Sequence, residues 1–267
     1  MQDAVDNSPH IWDHAALACK SNDWPVFQQR ILAMAERQGF TVETLGHTEE
    51  QPIYLLTRTA KHAEAKKILI ASGFHGEEPA GPWGLLQALE AASIDTLDQL
   101  HLALLPLVNV SGFSRGTRFN HQGENPNRGY LATVDGIQPT EEGAILRAHE
   151  AQIADYGRDG TLSCHEDQAL SHCYVYANEQ TDSPSSIARA LLACNAGFFP
   201  AHPDGLVDDC PIKDGIVFNQ LDSSFESWML ATGSQHTYCT ETPGQLPFEA
   251  RVAANAAMIS LFLDLHR

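Results

Sequence analysis

The segment His75-Gly76-Glu77-Glu78 directly follows the apolar run KKILIASGF. A catalytic zinc ion takes three nitrogen or oxygen ligands and keeps one position open. A histidine and a glutamate three residues apart in a strand-to-helix turn can face one ion together. The spacing alone is weak, because His47 and Glu50 repeat it in GHTEE. The settings differ. Pro79-Ala80-Gly81 opens a helix after the first copy, whereas His47 sits between two short strand-like runs and reads as a surface loop residue. A second constellation runs from Asn109 to Tyr130 and carries Arg115, Arg118 and Arg128. Arginine grips a carboxylate through two parallel hydrogen bonds, although such a loop can equally be a solvated surface. Ser163-Cys164-His165-Glu166-Asp167 offers a third ligand in His165, or else a hydrogen-bonded structural imidazole. Glu241, in TETPG, is a natural general base if a metal lies beside it, and otherwise one more exposed glutamate.

These residues need elements to hold them. Residues 24–39 show helical apolar spacing, and strand-like runs follow at about 40–46, 52–58 and 66–72. The last is apolar throughout, as in a strand buried on both faces. A helix is expected at 81–92 and a buried strand at about 100–108. Further helices are expected at 139–156, 185–195 and 248–265, and short strands at 161–164, 173–177 and 236–241. This alternation predicts a three-layer α/β/α fold with a mixed, mostly parallel central sheet. Sites in such sheets gather at the carboxyl ends of the strands, which here means just after residues 72, 108, 164 and 240.

The order of the four constellations resembles the zinc metallocarboxypeptidases of the funnelin family. That family carries His-x-x-Glu, then an Arg and an Asn-Arg pair, then a distant His and a late Glu. Its pattern Arg-x-Asn-x-x-Gly-x-Asp-x-Asn-Arg-x-Phe is met by Arg118, Asn120, Gly123, Asn125, Asn127, Arg128 and Tyr130, with asparagine at 125 and tyrosine at 130 as the departures. The resemblance spans residues 66 to 244 and implies one zinc ion per chain, held by His75, Glu78 and His165. It implies Glu241 as general base, Arg118 as oxyanion stabiliser, and Asn127 and Arg128 as the grip on a substrate carboxylate. Arg128 buried without an anionic partner would be costly, so such a site is built for one. The short spacing between Arg118 and Asn127 is similar to the compact bacterial murein-peptide amidases.

The digestive members place a mobile tyrosine about twenty residues before the catalytic glutamate, and residues 210–235 hold none. Tyr238 is too near Glu241 and falls in the expected strand. The same stretch should line the side-chain pocket. Asp208, Asp209, Asp214 and Glu226 either favour a cationic group there or form a solvated acidic loop. Three rival readings stand beside the peptidase. One is a deacylase of N-acyl amino acids resembling succinylglutamate desuccinylase and aspartoacylase. Another is a non-catalytic binding module, which the presence of every ligand and the base disfavours. The third is a two-metal aminopeptidase-like site, for which the motif order supplies too few ligands; His121 and His172 read as surface or supporting residues. The sequence holds no His-Glu-x-x-His, Gly-x-Ser-x-Gly or phosphate-binding Gly-Lys-Ser/Thr motif.

Composition sets the outer limits. With 267 residues, 43% of them hydrophobic, the chain suits a single catalytic domain over 1–267. Its net charge of −18 argues against nucleic acid as a partner and is compatible with a small cationic or zwitterionic substrate, such as a peptide or amino-acid derivative. No apolar run approaches the ~18 residues of a membrane helix. The start, MQDAVDNSPHIWDHAALACK, lacks a basic region followed by an apolar core. Cys19, Cys164, Cys173, Cys194, Cys210 and Cys239 form no C-x-x-C pair and read as free thiols in a reducing, cytoplasmic compartment. Oligomeric state leaves no mark in the sequence.

Overall fold

A computed structural model describes residues 21–267, apart from the side chain of Ala132. The amino-terminal stretch read for a leader, and Cys19 within it, lie outside the described residues. The strands are β1 (Thr41–Thr48), β2 (Gln51–Arg58), β3 (Lys67–Ser72), β4 (His101–Leu105), β5 (Gly160–Asp167), β6 (Tyr174–Glu179), β7 (Gly205–Val207), β8 (Cys210–Lys213), β9 (Ile216–Phe218) and β10 (His236–Pro243). The helices are α1 (Trp24–Gln38), α2 (Ala80–Ala91), α3 (Ile94–Leu97), α4 (Val110–Arg115), α5 (Ala132–Asp135), α6 (Glu141–Ala148), α7 (Glu150–Tyr156), α8 (Ser186–Ala196), α9 (Phe225–Ala231) and α10 (Phe248–His266).

All ten strands join one sheet in the order β1-β2-β4-β3-β5-β10-β6-β9-β8-β7. The neighbours β4, β3, β5 and β10 run parallel at its centre, and the pairs flanking them are antiparallel except β6–β9, which is parallel, so the sheet is mixed. The buried runs KILIAS and HLALL make β3 and β4, which have helices over both faces. One apolar layer joins Trp24 and Phe27 of α1, Trp83 of α2, and Met258 and Phe262 of α10. The other, across the sheet, joins Leu146, Ile153, Phe225 and Trp228 from α6, α7 and α9. This is the layered α/β architecture expected from the sequence. α1 illustrates why: Asp23 caps it by accepting from Val26 N–H, Phe27, Ile31 and Met34 share its buried face, and Gly39 at φ 71° ends it.

Three local expectations need correction. The helix expected over 139–156 divides at His149, whose ψ of 21° leaves the helical range. His47 is exposed but lies within β1, not in a loop; the loop is the turn Glu49-Glu50, with φ of 46° and 65°. The acidic stretch after residue 204 forms the hairpin β7–β8–β9, too short to show alternation. Asp208 and Asp209 make its first turn at φ of 48° and 61°, a conformation that Asp tolerates. Among the described residues, no helix is long and apolar enough to cross a membrane.

Candidate metal centre and active site

β3 ends at Ser72, and the chain turns at Gly73 to carry His75 and Glu78 across the carboxyl end of the sheet. Gly76 has to be glycine: a Cβ there would lie 1.9 Å from the carbonyl carbon of Gly112 in α4. Asn22 locks the same crossing by donating to the carbonyls of Gly76 (2.8 Å) and Phe113 (2.9 Å). His165 arrives on β5, adjacent and parallel to β3, and Glu241 on β10 is its direct register partner. Parallel neighbours thus deliver three of the expected residues to one edge, where such sheets place their sites.

The Glu78 carboxylate is the hub. Its Oε1 lies 2.6 Å from His75 Nδ1, and its Oε2 lies 2.9 Å from His165 Nδ1. Glu78 Oε2 also accepts from the backbone of Glu166 at 3.2 Å. All three side chains are buried, and their ligand atoms lie within 4.8 Å of one another. Two imidazole nitrogens and a carboxylate converging in this way form a zinc-type donor set. Each histidine is oriented through its other nitrogen: His75 Nε2 meets Asn125 Oδ1 at 3.0 Å, and His165 Nε2 faces Glu226 Oε1 at 3.5 Å. Such rear contacts fix the ring and its tautomer for metal binding. Burial alone would raise the Glu78 carboxyl, but the charges and hydrogen bonds of both histidines outweigh it and hold the group well below its usual range.

Glu241 sits within β10, only partly exposed, with its backbone carbonyl held by Asn195 Nδ2 at 3.0 Å. Loss of solvent, with Glu78 and Asp167 adding repulsion, raises its pKa well above that of a free carboxyl. Arg118 Nη1 lies 3.2 Å from Glu78 Oε1 while its side chain stays 40% exposed, so it borders the metal centre with donors to spare. Arg128 is also partly exposed, and Asp222 stands 3.3 Å from its Nη2. Asn127 is buried, accepts from Phe225 N–H at 2.9 Å and donates to Glu226 Oε2 at 3.1 Å. Its second amide hydrogen remains beyond that bond. The other motif residues shape the loop. Asn120 accepts from the backbone of Gln122 and Glu124, Gly123 takes φ 78°, and Tyr130 is buried against Phe74 and Trp228.

Two clefts meet at this centre. One, of about 360 Å³, is bordered by Arg118, Arg128, Tyr176, Asn178, Asp208 and Cys239. The other, of about 240 Å³, opens past Tyr174 and Gln168; His75, Arg118, Asp208 and Glu241 border both. The expected pocket stretch does contribute, through Cys210, Gln220, Leu221, Asp222 and Ser224. Glu226 is not part of a solvated acidic loop; it is 3% exposed and stands behind His165. Sequence reasoning did not anticipate that role, nor Tyr176 and Asn178 on the cleft wall. A readable signal exists in the alternation of polar residues along β5, β6 and β10. A second group with ligand-type atoms, His165, Cys239 and Glu241, shares His165 with the first, and among the described residues His121 and His172 join neither.

Comparison with known proteins follows this geometry. A presumed metallopeptidase from Shewanella amazonensis SB2B is 38% identical, with a TM-score of 0.91 over 96% of this chain and 97% of that one. The chain belongs to the same metallopeptidase family as that protein. A metallo-carboxypeptidase from Burkholderia cenocepacia shares the fold with this metallopeptidase at 19% identity and a TM-score of 0.67, over 90% of this chain but only 68% of that one. The murein-tripeptide amidase of Escherichia coli O157, at 17% identity and a TM-score of 0.59, covers 85% of this chain and 92% of its own. The catalytic-domain model of the succinylglutamate desuccinylase/aspartoacylase family matches residues 64–167. No curated protein sequence matches the chain.

Proposed function

We propose that this metallopeptidase hydrolyses an amide bond whose amine-side residue carries a free carboxylate, using one zinc ion held by His75, Glu78 and His165. The observation that carries the reading is the convergence of both Nδ1 atoms on the Glu78 carboxylate where two clefts meet, with Glu241 and Arg118 bordering both. Bound there, zinc supplies Lewis acidity towards an amide carbonyl and makes water nucleophilic near neutral pH. The chain's own groups do the rest. Glu241 takes the proton that water loses and returns it to the departing amine, a task suited to a carboxylate that borders both clefts. Arg118 donates to the carbonyl oxygen as negative charge builds on it. Arg128 exchanges Asp222 for the substrate carboxylate, and the free N–H of Asn127 completes the grip.

A peptide losing its terminal residue and an N-acyl amino acid losing its acyl group present the same core, an amide next to a carboxylate. They differ in what lies on the acyl side. The family-model match over 64–167 favours the deacylase as a second reading. The second cleft, open beyond the metal centre, favours a longer acyl partner and hence a peptide, and acceptance of a diaminopimelate end would make that peptide murein-derived. The five described cysteines are all free, which supports a reducing, cytoplasmic setting.

The test is hydrolysis of a γ-D-glutamyl-meso-diaminopimelate peptide, ordinary peptides with free carboxyl ends and an N-acyl amino acid, before and after chelation. Chelator-sensitive cleavage of a peptide supports the first reading, and cleavage of the N-acyl amino acid alone supports the second. Activity that survives complete removal of metal refutes both.

A further inference from the structure

Away from the metal centre, one interior carboxylate lacks a charge partner. Glu142, in the first turn of α6, is 0% exposed. Its Oε2 accepts from Asn120 Nδ2 at 2.9 Å, and its Oε1 has no hydrogen-bond partner. The arginines of the neighbouring loop are engaged elsewhere: Arg115 with Glu49, Arg118 with Glu78 and Arg128 with Asp222. His121 faces Glu141 instead, at 3.7 Å, and among the described residues no ion pair reaches Glu142. A carboxylate taken out of water and held by a single amide is costly unless a cation compensates it. A proton on Oε1 would not repair the site, because it would find no acceptor in the protein.

Two further observations mark the place as a site. The same Asn120 amide nitrogen lies 3.3 Å from Oε2 of Glu124, so one NH₂ group holds two carboxylates together. Glu124 is exposed and Glu142 buried, so the pair leads from the surface inwards. Independently, the hydroxyl of Tyr130, a residue 1% exposed, also has no hydrogen-bond partner. Its ring carbon Cζ lies against the same turn of α6, 3.7 Å from where a Cβ on Gly143 would stand. Burial, then the charge of Glu142, pushes that hydroxyl well above its usual pKa, so it keeps its proton and presents an oxygen lone pair. Two carboxylates and a hydroxyl form an oxygen-only donor set. Hard cations such as calcium take donors of this kind, with water filling the remaining positions.

We propose that Glu142 and Glu124 form a second cation site, for calcium, with the Tyr130 hydroxyl contributing to its oxygen shell. The ion pins Asn120, and the loop that follows it, to α6. That loop carries Asn125, which supports His75, and then Asn127 and Arg128. Calcium at this point steadies the loop beside the zinc ligands without touching any of them.

The experiment uses the full zinc-loaded chain, dialysed into calcium-free buffer without chelator so that the zinc stays bound. Calcium chloride is titrated in while the melting temperature is followed, and calorimetry gives the affinity. Sodium chloride at the same ionic strength is the control for screening of the net charge of −18. At a calcium concentration about a hundredfold above Kd, Tm should rise by roughly 5–10 °C. Glu142→Gln should abolish that rise. Glu124→Gln, at an exposed position that leaves the core intact, should weaken calcium binding by about tenfold or more, and it decides the matter if Glu142→Gln does not fold. A Tm unmoved by calcium up to about 10 mM, beyond the weakest sites of this kind, overturns the proposal. So does a rise matched by sodium chloride, or one that persists unchanged in the variants.

Discussion

Glu226→Gln isolates the support behind the metal centre. The substitution keeps the side chain's volume but removes its charge, 3.5 Å from His165 Nε2. It also breaks the hydrogen-bond logic. With the lone pair of Nδ1 given to zinc, Nε2 carries the ring proton, and Asn127 Nδ2 donates at 3.1 Å to the other oxygen of Glu226. Two donors therefore face two acceptors, and a glutamine has only one acceptor to give, so its own NH₂ must meet one of those donors. Supports of this kind change metal affinity by roughly 10–100-fold, which is about 1.4–2.8 kcal/mol. A full pair of unit charges at ~4 Å would give about 4 kcal/mol at an effective dielectric constant near 20. The smaller figure is reasonable because a neutral imidazole carries only part of a charge. Zinc affinity is read by competition with a chromogenic chelator at fixed pH, with the melting temperature of the metal-free protein as a control for folding. A variant that folds and binds zinc within twofold of wild type would refute the role given to Glu226.

Other outcomes follow from the same geometry. Glu241→Gln should retain zinc and lose roughly 10²–10⁴-fold in kcat on whichever substrate is cleaved; near-normal turnover removes it from the mechanism. Arg251→Met leaves Glu166, 1% exposed, without the guanidinium that pairs with it, and should cost about 3–5 kcal/mol, seen as a fall in Tm on the order of 10 °C. An unchanged Tm would mean that the Ala80 N–H, which donates to Glu166 at 2.8 Å, suffices alone. His236 and His266 meet through their Nε2 atoms at 2.9 Å, and burial first, then the neighbouring His266, lowers His236 from 6.5 to about 4. Between those values the unfolded chain binds more protons. The contribution is therefore complete above about pH 6.5 and disappears as the pH falls towards 4, on the order of 3 kcal/mol. Melting curves from pH 8 to pH 4.5 should show that loss, and His236→Gln should flatten it; parallel curves for the two proteins exclude the pair as its source.

The legible part of the site is the part placed by element ends. His75 and Glu78 follow a buried strand, His165 and Glu241 fall near the ends of two more, and the Arg118-to-Tyr130 loop has spacing enough to be matched residue by residue. What escaped depends on elements with little sequence signal. Glu226 reaches His165 because α9 exists, a seven-residue helix whose cap, Ser224 accepting from Ser227 N–H, is one of many serines in a polar stretch. Its apolar positions Phe225, Trp228 and Met229 do fit one helical face, but over too few turns to stand out. The pairing of Arg128 with Asp222 was also hidden, because it depends on how residues 218–224 fold back across the cleft.

The polar alternation in β5, β6 and β10 ties the two halves of the site together. Reading Thr161, Ser163 and His165 as alternate residues of one strand would have placed a polar row beneath the ligand, and Thr237, Cys239 and Glu241 repeat it next door. Parallel pairing of β3, β5 and β10 brings His75, His165 and Glu241 to one edge, which explains a metal centre but not a pocket. β6 runs the opposite way beside β10, so the chain leaves that edge with its own alternate side chains descending the same face. The pocket is thus the antiparallel return from the catalytic edge. Tyr176 and Asn178, two and four positions beyond Tyr174, border that cleft, and substituting them should reshape it while leaving His75, Glu78 and His165 where they are.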